Sequence, residues 1–211
     1  MQIESLFGTE AAVLKGSVTA QLAAVPSVQD AVHRRRSVYA YLNAAVPRAI
    51  IEQALNLAVL APCHHQTHPW RFFVFQDAGR KHLATAYQTA AARLGLLATK
   101  ATQRAYDAPV MIVIACQPTL TRPRVKQWEE EFATAAATQT LMLALAASGV
   151  GTLLTTGNLP ESEEVRQLIG LNQANAKVMG VLNVGYRNPE RPLMARPAAN
   201  ASAVTQWINA S

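Results

Sequence analysis

Three histidines and one cysteine fall within the ten-residue segment APCHHQTHPW, residues 61–70. His64 and His68 are four residues apart, a spacing that would place two metal ligands on one face of a helix. Pro62 and Pro69 bracket the pair and disfavour such a helix, the segment holds no acidic residue, and the HExxH pattern is absent. We therefore predict no metal site here.

Cys63 precedes His64, which raises the alternative of a cysteine nucleophile beside its base. A reactive thiolate needs electropositive surroundings and an oriented base, and adjacency in sequence provides neither. We interpret Cys63 as a small thiol packed at a helix end. The other cysteine, Cys116, is distant, and the pair matches no disulfide or zinc-ribbon spacing, which favours a reducing compartment, the cytoplasm.

Three consecutive arginines, Arg34, Arg35 and Arg36, are followed directly by Ser37. Charged runs are ordinarily solvated, and cations at the end of a helix also interact favourably with its dipole. Three guanidinium groups and a hydroxyl could instead bind a dianion, most simply a phosphate monoester. Both interpretations stay open on these residues alone.

The charge and composition of the 211-residue chain are those of a globular protein with a local basic excess. Half of the residues are hydrophobic, 15% are charged and the net charge is +6. Much of the excess lies in residues 33–36 and 122–126 rather than in an extended basic stripe, which favours a phosphorylated small ligand over nucleic acid. Residues 133–160 carry no charge, but polar residues and glycines interrupt them, so we predict a buried helix and no membrane span.

Helices and strands alternate along the chain. The SVQD segment, residues 27–30, resembles a capping box and begins a short helix that runs into the three arginines. Pro47 begins an amphipathic helix that Pro62 ends. The other predicted helices span 77–98, 126–149 and 161–170, and the predicted strands span 70–75, 108–116, 150–157 and 177–186. No linker or repeat divides them, which predicts one α/β or α+β domain, residues 28–211, after an N-terminal extension, residues 1–27.

The predicted long helix, residues 126–149, is rich in alanine. Small side chains fill little space, so another backbone must approach this helix closely. Either other elements of the same chain cover it, or a second copy of the protein does. Both alternatives stay open on this feature.

Several motifs in order resemble the flavin-dependent nitroreductase family. RRRS is followed by a helix ending in AP, a polar loop ending in PW and the strand RFFVF. WEEEFATAAATQTLMLALAASGVGTLLTTG is similar to the family's long dimer helix and the strand after it. ESEEVRQLIGL and KVMGVLNVGYRNP are similar to its next helix and last core strand. The resemblance covers residues from about 28 to 192 and is closest to the short, single-domain members.

The resemblance implies an α+β, nitroreductase-like three-layer fold, with a mixed central β-sheet flanked by helices. It also implies a homodimer that binds two FMN molecules in clefts at the subunit interface. The C-terminal tail would cross onto the partner as a domain swap.

The resemblance also implies the binding residues. Arg35, Arg36 and Ser37 occupy the positions that hold the FMN phosphate and the ribityl chain or the polar edge of the ring. His64 matches a histidine that approaches FMN from the second subunit. The residues matching the segment that lines the flavin on its far side are Leu154, Thr155 and Thr156. Some relatives carry arginines at positions where this chain has none. Arg34, Arg191 and Arg196 could replace the positive charge of those arginines.

The implied function is an FMN-dependent oxidoreductase that takes hydride from NADH or NADPH. Hydride would pass through flavin N5 in a ping-pong cycle to a nitroaromatic, a quinone or a related electrophile. The cofactor carries this chemistry, so no catalytic side chain is predicted. The alternative is a protein of the same fold that binds a flavin or another phosphorylated ligand and has little reductase activity.

Overall fold

The computed structural model of the chain describes residues 27–208. The predicted N-terminal extension, residues 1–27, lies outside the described residues except for Ser27. Within residues 27–208, no helix combines the length and the apolar composition needed to cross a membrane.

Four strands form one sheet at the centre of the molecule. They are β1 (Trp70–Gln76), β2 (Val110–Cys116), β3 (Gly151–Thr155) and β4 (Lys177–Gly185), in the order β1-β2-β4-β3. β2 and β4 are the central strands. Every residue of β2 is buried, because helices cover both faces, and this explains why its sequence is a continuous apolar run.

Six α-helices flank the sheet in the described part of the chain. They are α1 (Val28–Arg34), α2 (Arg48–Ala58), α3 (Arg80–Leu94), α4 (Ala98–Arg104), α5 (Gln127–Ala147) and α6 (Glu163–Leu168). Helices α3, α4 and α6 cover one face of the sheet, whereas α2 and α5 cover the other. The predicted α+β architecture in three layers is confirmed.

Alternating side chains of β2 connect the two layers of helices. Met111 and Val113 pack toward α3 and α4, whereas Ile112 and Ile114 pack toward α2 and α5. All four side chains are at most 1% exposed. Each such burial contributes about 1.5–3 kcal/mol, so this strand anchors both halves of the core.

The sheet is antiparallel, which corrects the expectation of a mixed sheet. Every neighbouring pair of strands runs antiparallel, and the isolated bridge between Ser37 and Thr152 is the only parallel pairing among residues 27–208. The connection between β1 and β2 shows the physical reason. Two helices, α3 and α4, lie between these strands and return the chain to the end of the sheet that it left.

Helix α4 was not separated from α3 in the sequence, where one helix over 77–98 was predicted. Gly95 ends α3 in a left-handed conformation, with φ of 66°, and its backbone N–H donates to the carbonyl of Ala91. This is a common way for a helix to end, and it lets α4 turn back against α3.

Helix α5 has one buried side and one side that no described residue covers. Ala133, Ala137 and Leu141 are at most 2% exposed, and they bring α5 close to its neighbours. On the other side, Trp128 is 61% exposed and Phe132 is 70% exposed. Other elements of the chain therefore cover part of α5, and an apolar strip formed by Trp128 and Phe132 faces solvent.

The C-terminal tail first returns to its own chain and then leaves it. The Arg196 guanidinium donates to the carbonyls of Val32 and Arg35, at 3.2 and 2.7 Å. Farther along the tail, Val204, Trp207 and Ile208 are at least 83% exposed. These three apolar side chains are therefore left largely uncovered by residues 27–208.

Candidate functional site

The arginine cluster is held at the edge of β3 by contacts on both sides. A capping box begins α1, in which Ser27 Oγ accepts from the backbone of Asp30 and the Asp30 carboxylate accepts from the backbone of Ser27. The helix ends at Arg34, and the chain continues extended. The backbone N–H of Val38 then donates to the carbonyl of Thr152 at 3.0 Å.

Gly151 makes this close approach possible. A Cβ atom at that position would lie 2.7 Å from Cγ2 of Val38, which is closer than real Cβ contacts. The absence of a side chain at the start of β3 therefore lets the segment after α1 lie directly against the strand.

A cavity of about 240 Å³ lies between the arginine cluster and the end of α5. Its lining includes Arg34, Arg35, Arg36, Gly149, Thr152 and Arg187. Among residues 27–208, none of these arginines has a carboxylate within 4.0 Å. The cavity is therefore cationic and open to an anion.

Tail arginines add to this charge. A second cavity of about 240 Å³ is lined by Arg35, Arg36, Ser37 and Arg196. Arg191 lines a neighbouring cavity of about 440 Å³ with Ser37 and Arg187. The structure thus brings the predicted Arg34, Arg191 and Arg196 to the predicted cluster. Sequence reasoning missed Arg187, whose only signal was its position directly after the last strand.

The histidine stretch forms a strained loop, residues 61–69, which we call the histidine loop. It contains a 3-10 turn, His64–Gln66, and the exposed side chains of all three histidines. The guanidinium of Arg122 donates to the carbonyl of His65 at 3.0 Å. Among the described residues, no group of three potential metal-ligating side chains occurs here or elsewhere. Trp70, which begins β1, is buried.

The histidine loop and the arginine cavity lie at opposite ends of α5. Thr67 of the loop contacts Glu130 in the first turns of α5, whereas the cavity is lined by Ala146 near its last turn. These two helix positions are about 24 Å apart at 1.5 Å per residue. Within one chain, His64 is therefore not brought together with Arg35, Arg36 and Ser37.

The predicted residues of β3 point in different directions. Leu154 lies opposite Leu182 on the face of α2 and α5, and it is 39% exposed. Thr155 points to the other face, where its hydroxyl donates to the carbonyl of Val181 at 3.0 Å. Thr156, just beyond the strand, is exposed. Of the three, Leu154 is placed to pack against a ring on the α5 side.

A separate polar cavity of about 320 Å³ lies on the α3 and α4 face, lined in part by Thr155, Asp107 and Arg104. Burial raises the pKa of the Asp107 carboxyl, and the nearby Arg104 lowers it in part. The sheet separates this cavity from the arginine cavity. It holds none of the arginines predicted for the phosphate.

The motifs, the fold and this arrangement agree with one protein family. The family model described as "Nitroreductase family" matches residues 32–186. The chain belongs to the Nitroreductase family. The predicted family is confirmed, and membership makes the chain an oxidoreductase of the nitroreductase type.

Related sequences support the same assignment. The chain is 29% identical over 157 residues to "Putative NAD(P)H nitroreductase YdjA" from Escherichia coli K12, a match that covers 72% of this chain and 83% of that protein. It is 27% identical over 164 residues to "Putative NADH dehydrogenase/NAD(P)H nitroreductase" from Archaeoglobus fulgidus, a match that covers 76% of this chain and 85% of that protein.

Solved structures share the fold. A nitroreductase-like family protein from Bacillus cereus superposes with a TM-score of 0.74 at 24% identity, covering 87% of this chain and 97% of that one. The FMN-dependent nitroreductase NfnB from Mycobacterium smegmatis, solved with NADPH, superposes with a TM-score of 0.65 at 21% identity, covering 87% and 100%.

Proposed function

We propose that the chain is an FMN-dependent oxidoreductase that takes reducing equivalents from NADH or NADPH and delivers them to a nitroaromatic, a quinone or a related electrophile. The observation that carries this proposal is the cationic cavity at the start of β3. Arginines from α1, from the end of β4 and from the tail converge there without carboxylate partners in the described chain. A phosphate monoester matches that set of donors.

The residues of the cavity fit an FMN phosphate. Arg35 and Arg36 would bind its oxygens, and the hydroxyl of Ser37 would donate to the phosphate or to the ribityl chain. Arg187 and Arg196 would contribute further positive charge. When bound, FMN supplies a ring that accepts a hydride at N5 and passes it on.

The rest of the ring site consists of apolar surface and backbone. Leu154 offers a half-exposed side chain on the α5 side, where it would pack against one face of the ring. Thr156 and Gly157 follow at the open end of β3, where backbone groups could contact the polar edge of the ring. No acid–base pair is needed from the protein, because the bound flavin itself accepts and donates the hydride.

A homodimer would complete the site. Two α5 helices that pack antiparallel across a two-fold axis place the first turns of one beside the last turns of the other. This would bring His64 of the partner subunit to the arginine cavity, although the two lie about 24 Å apart within one chain. The exposed Trp128 and Phe132 would be buried by the same packing.

The tail supports the same assembly. Val204, Trp207 and Ile208 expose apolar surface that a partner subunit could cover, as the domain-swapped tail predicted from the sequence would require. We further propose that residues 28–211 form the domain and that the protein acts in the cytoplasm.

Reconstitution with FMN tests this function. The purified full-length protein is incubated with excess FMN, passed through a desalting column and examined for visible flavin absorbance. Retained flavin, followed by NADH or NADPH oxidation that depends on a quinone or nitroaromatic acceptor, is the expected result. A protein that retains no flavin would contradict the proposal. Stopped-flow reduction in the absence of acceptor then tests the ping-pong order.

One observation favours the alternative function, ligand binding without reduction. Leu154, on the flavin-facing side of β3, offers no hydrogen bond, and Thr155 lies on the other face, where its hydroxyl donates to the carbonyl of Val181. Side chains on that side would therefore have little effect on the reactivity of the flavin ring. Retained flavin without acceptor-dependent oxidation of either nicotinamide nucleotide would establish this alternative.

A further inference from the structure

A fully buried carboxylate lies beneath the histidine loop. Glu130, in the first turns of α5, is 0% exposed, and both of its oxygens accept hydrogen bonds. Thr67 Oγ1 donates to Oε1, and the backbone N–H of Thr119 donates to Oε2 at 3.0 Å. No cationic side chain among residues 27–208 lies within 4.0 Å of this carboxylate. Two donors from two different loops therefore satisfy it.

The loop above this carboxylate does not keep its shape by local preference. His65, Gln66 and His68 have φ values of 56°, 52° and 48°. Residues with a side chain adopt this left-handed region at a cost, and three of them occur within four positions. Contacts from outside the loop must therefore hold its backbone.

A chain of hydrogen bonds connects Glu130 to that backbone. A hydroxyl has one proton, and a carboxylate is a stronger acceptor than a thiol or a carbonyl, so Thr67 donates to Glu130. Thr67 Oγ1 can then accept from the Cys63 thiol, at 3.3 Å. The Sγ atom of Cys63 accepts from the backbone N–H of His68 at 3.2 Å.

We propose that Glu130 is a positioning residue whose carboxylate, acting through Thr67, fixes the histidine loop in the shape that presents His64 to the cofactor of a partner subunit. The presentation of His64 rests on the proposed function, whereas the fixing of the loop does not. Glu130 itself touches neither cofactor nor substrate. If Glu130 had only a structural role, it would stabilise the start of α5 and would not fix the histidine loop.

Two variants remove the contact from opposite sides. In Glu130→Gln the side chain keeps one acceptor oxygen, so either Thr67 or the backbone of Thr119 faces an NH₂ group. Thr67→Val removes the hydroxyl at a half-buried position and keeps the shape of the side chain. Glu131→Gln is the matched control, because Glu131 is the next residue and binds Lys177 at 2.7 Å, away from the loop.

The reactivity of Cys63 toward the thiol reagent DTNB reports the state of the loop without any flavin. The chain has two cysteines, and Cys116 is 0% exposed in β2, so the fast reaction belongs to Cys63. We expect each variant to react about tenfold faster than wild type, and the double variant no faster than the singles. Glu131→Gln should match wild type within about twofold. Wild-type reactivity in both variants would overturn the proposal, even if their thermal midpoints fall.

FMN binding tests the second half of the proposal. We expect Glu130→Gln and Thr67→Val to weaken FMN binding about tenfold and to reduce the visible circular dichroism of bound flavin. Faster Cys63 reaction with unchanged FMN affinity and spectrum would show that the loop does not present His64. If wild type binds no FMN, the proposed function fails, and the Cys63 rates alone decide whether Glu130 fixes the loop.

Discussion

At the residue scale, uncompensated positive charge determines what the candidate site can bind. Arg34, Arg35 and Arg36 come from one segment, and Arg187 and Arg196 reach them from the end of the chain. Their guanidinium groups form a set of donors without carboxylate partners in the described chain. Such a set of donors matches the phosphate of FMN and not its flavin ring. The affinities for FMN and for a flavin without a phosphate can therefore be compared.

We expect Arg35→Ala to weaken FMN binding by about tenfold to a hundredfold, because one charge-assisted hydrogen bond contributes about 1.5–3 kcal/mol. Riboflavin, which lacks the phosphate, should bind wild type and Arg35→Ala with the same affinity. Quenching of flavin fluorescence measures the affinity for both ligands. Arg48→Ala is the control, since Arg48 is exposed and pairs with Glu52 on α2. Equal losses for FMN and riboflavin would contradict a phosphate role.

At the scale of elements, one ion pair ties α3 to α6. Arg93 donates to both carboxylate oxygens of Glu164, each at 2.9 Å. These hydrogen bonds lower the pKa of the Glu164 carboxyl from 4.5 to about 2. A carboxyl whose pKa is lowered by folding stabilises the protein above its unfolded pKa, and that contribution is lost as the pH falls toward the folded pKa.

We expect Arg93→Met to lower the free energy of unfolding slightly at pH 7, and the loss stays small because Arg93 is half exposed and water screens the pair. The difference from wild type should shrink by more than half at pH 3, within the window from about 4.5 to about 2. Urea unfolding at pH 7 and pH 3 measures this difference. Arg48→Met is the control, because Arg48 belongs to an exposed ion pair. A difference that is the same at both pH values would mean that packing, not charge, joins the helices.

At the scale of the whole molecule, the proposed site has two parts that lie far apart within one chain. The arginine cavity and the histidine loop are separated by most of the length of α5, and the exposed strip, Trp128 and Phe132, lies at the histidine-loop end of that helix. Association of two copies along α5 resolves both observations. It would bury the strip and complete two sites at once.

We expect Phe132→Glu to shift the protein from dimer to monomer and to weaken FMN binding at the same time, since a buried charge without a partner opposes association. Sedimentation velocity measures the oligomeric state. Leu97→Glu is the control, because Leu97 is 60% exposed on the other side of the molecule, beside α4. A dimer that survives Phe132→Glu would place the interface elsewhere.

Local patterns in the sequence determined most of the elements and the family. The apolar run of β2, the proline boundaries of α2, the capping box of α1 and the arginine cluster depend on neighbours in sequence, so each was recognisable without a structure. The break at Gly95 between α3 and α4 was missed, because a single glycine in a helical pattern does not by itself show that the chain reverses.

Only the tertiary structure decided which distant residues meet. Arg196 reaches the carbonyl of Arg35 across 161 positions, and Thr67 reaches Glu130 across 63. It also assigned Leu154 and Thr155 to opposite faces of the sheet and separated the histidine loop from the arginine cavity. Hydrogen bonds and burial at such separations depend on the path of the whole chain. Residue type and spacing therefore predicted the candidate binding groups, whereas packing determined how they are arranged.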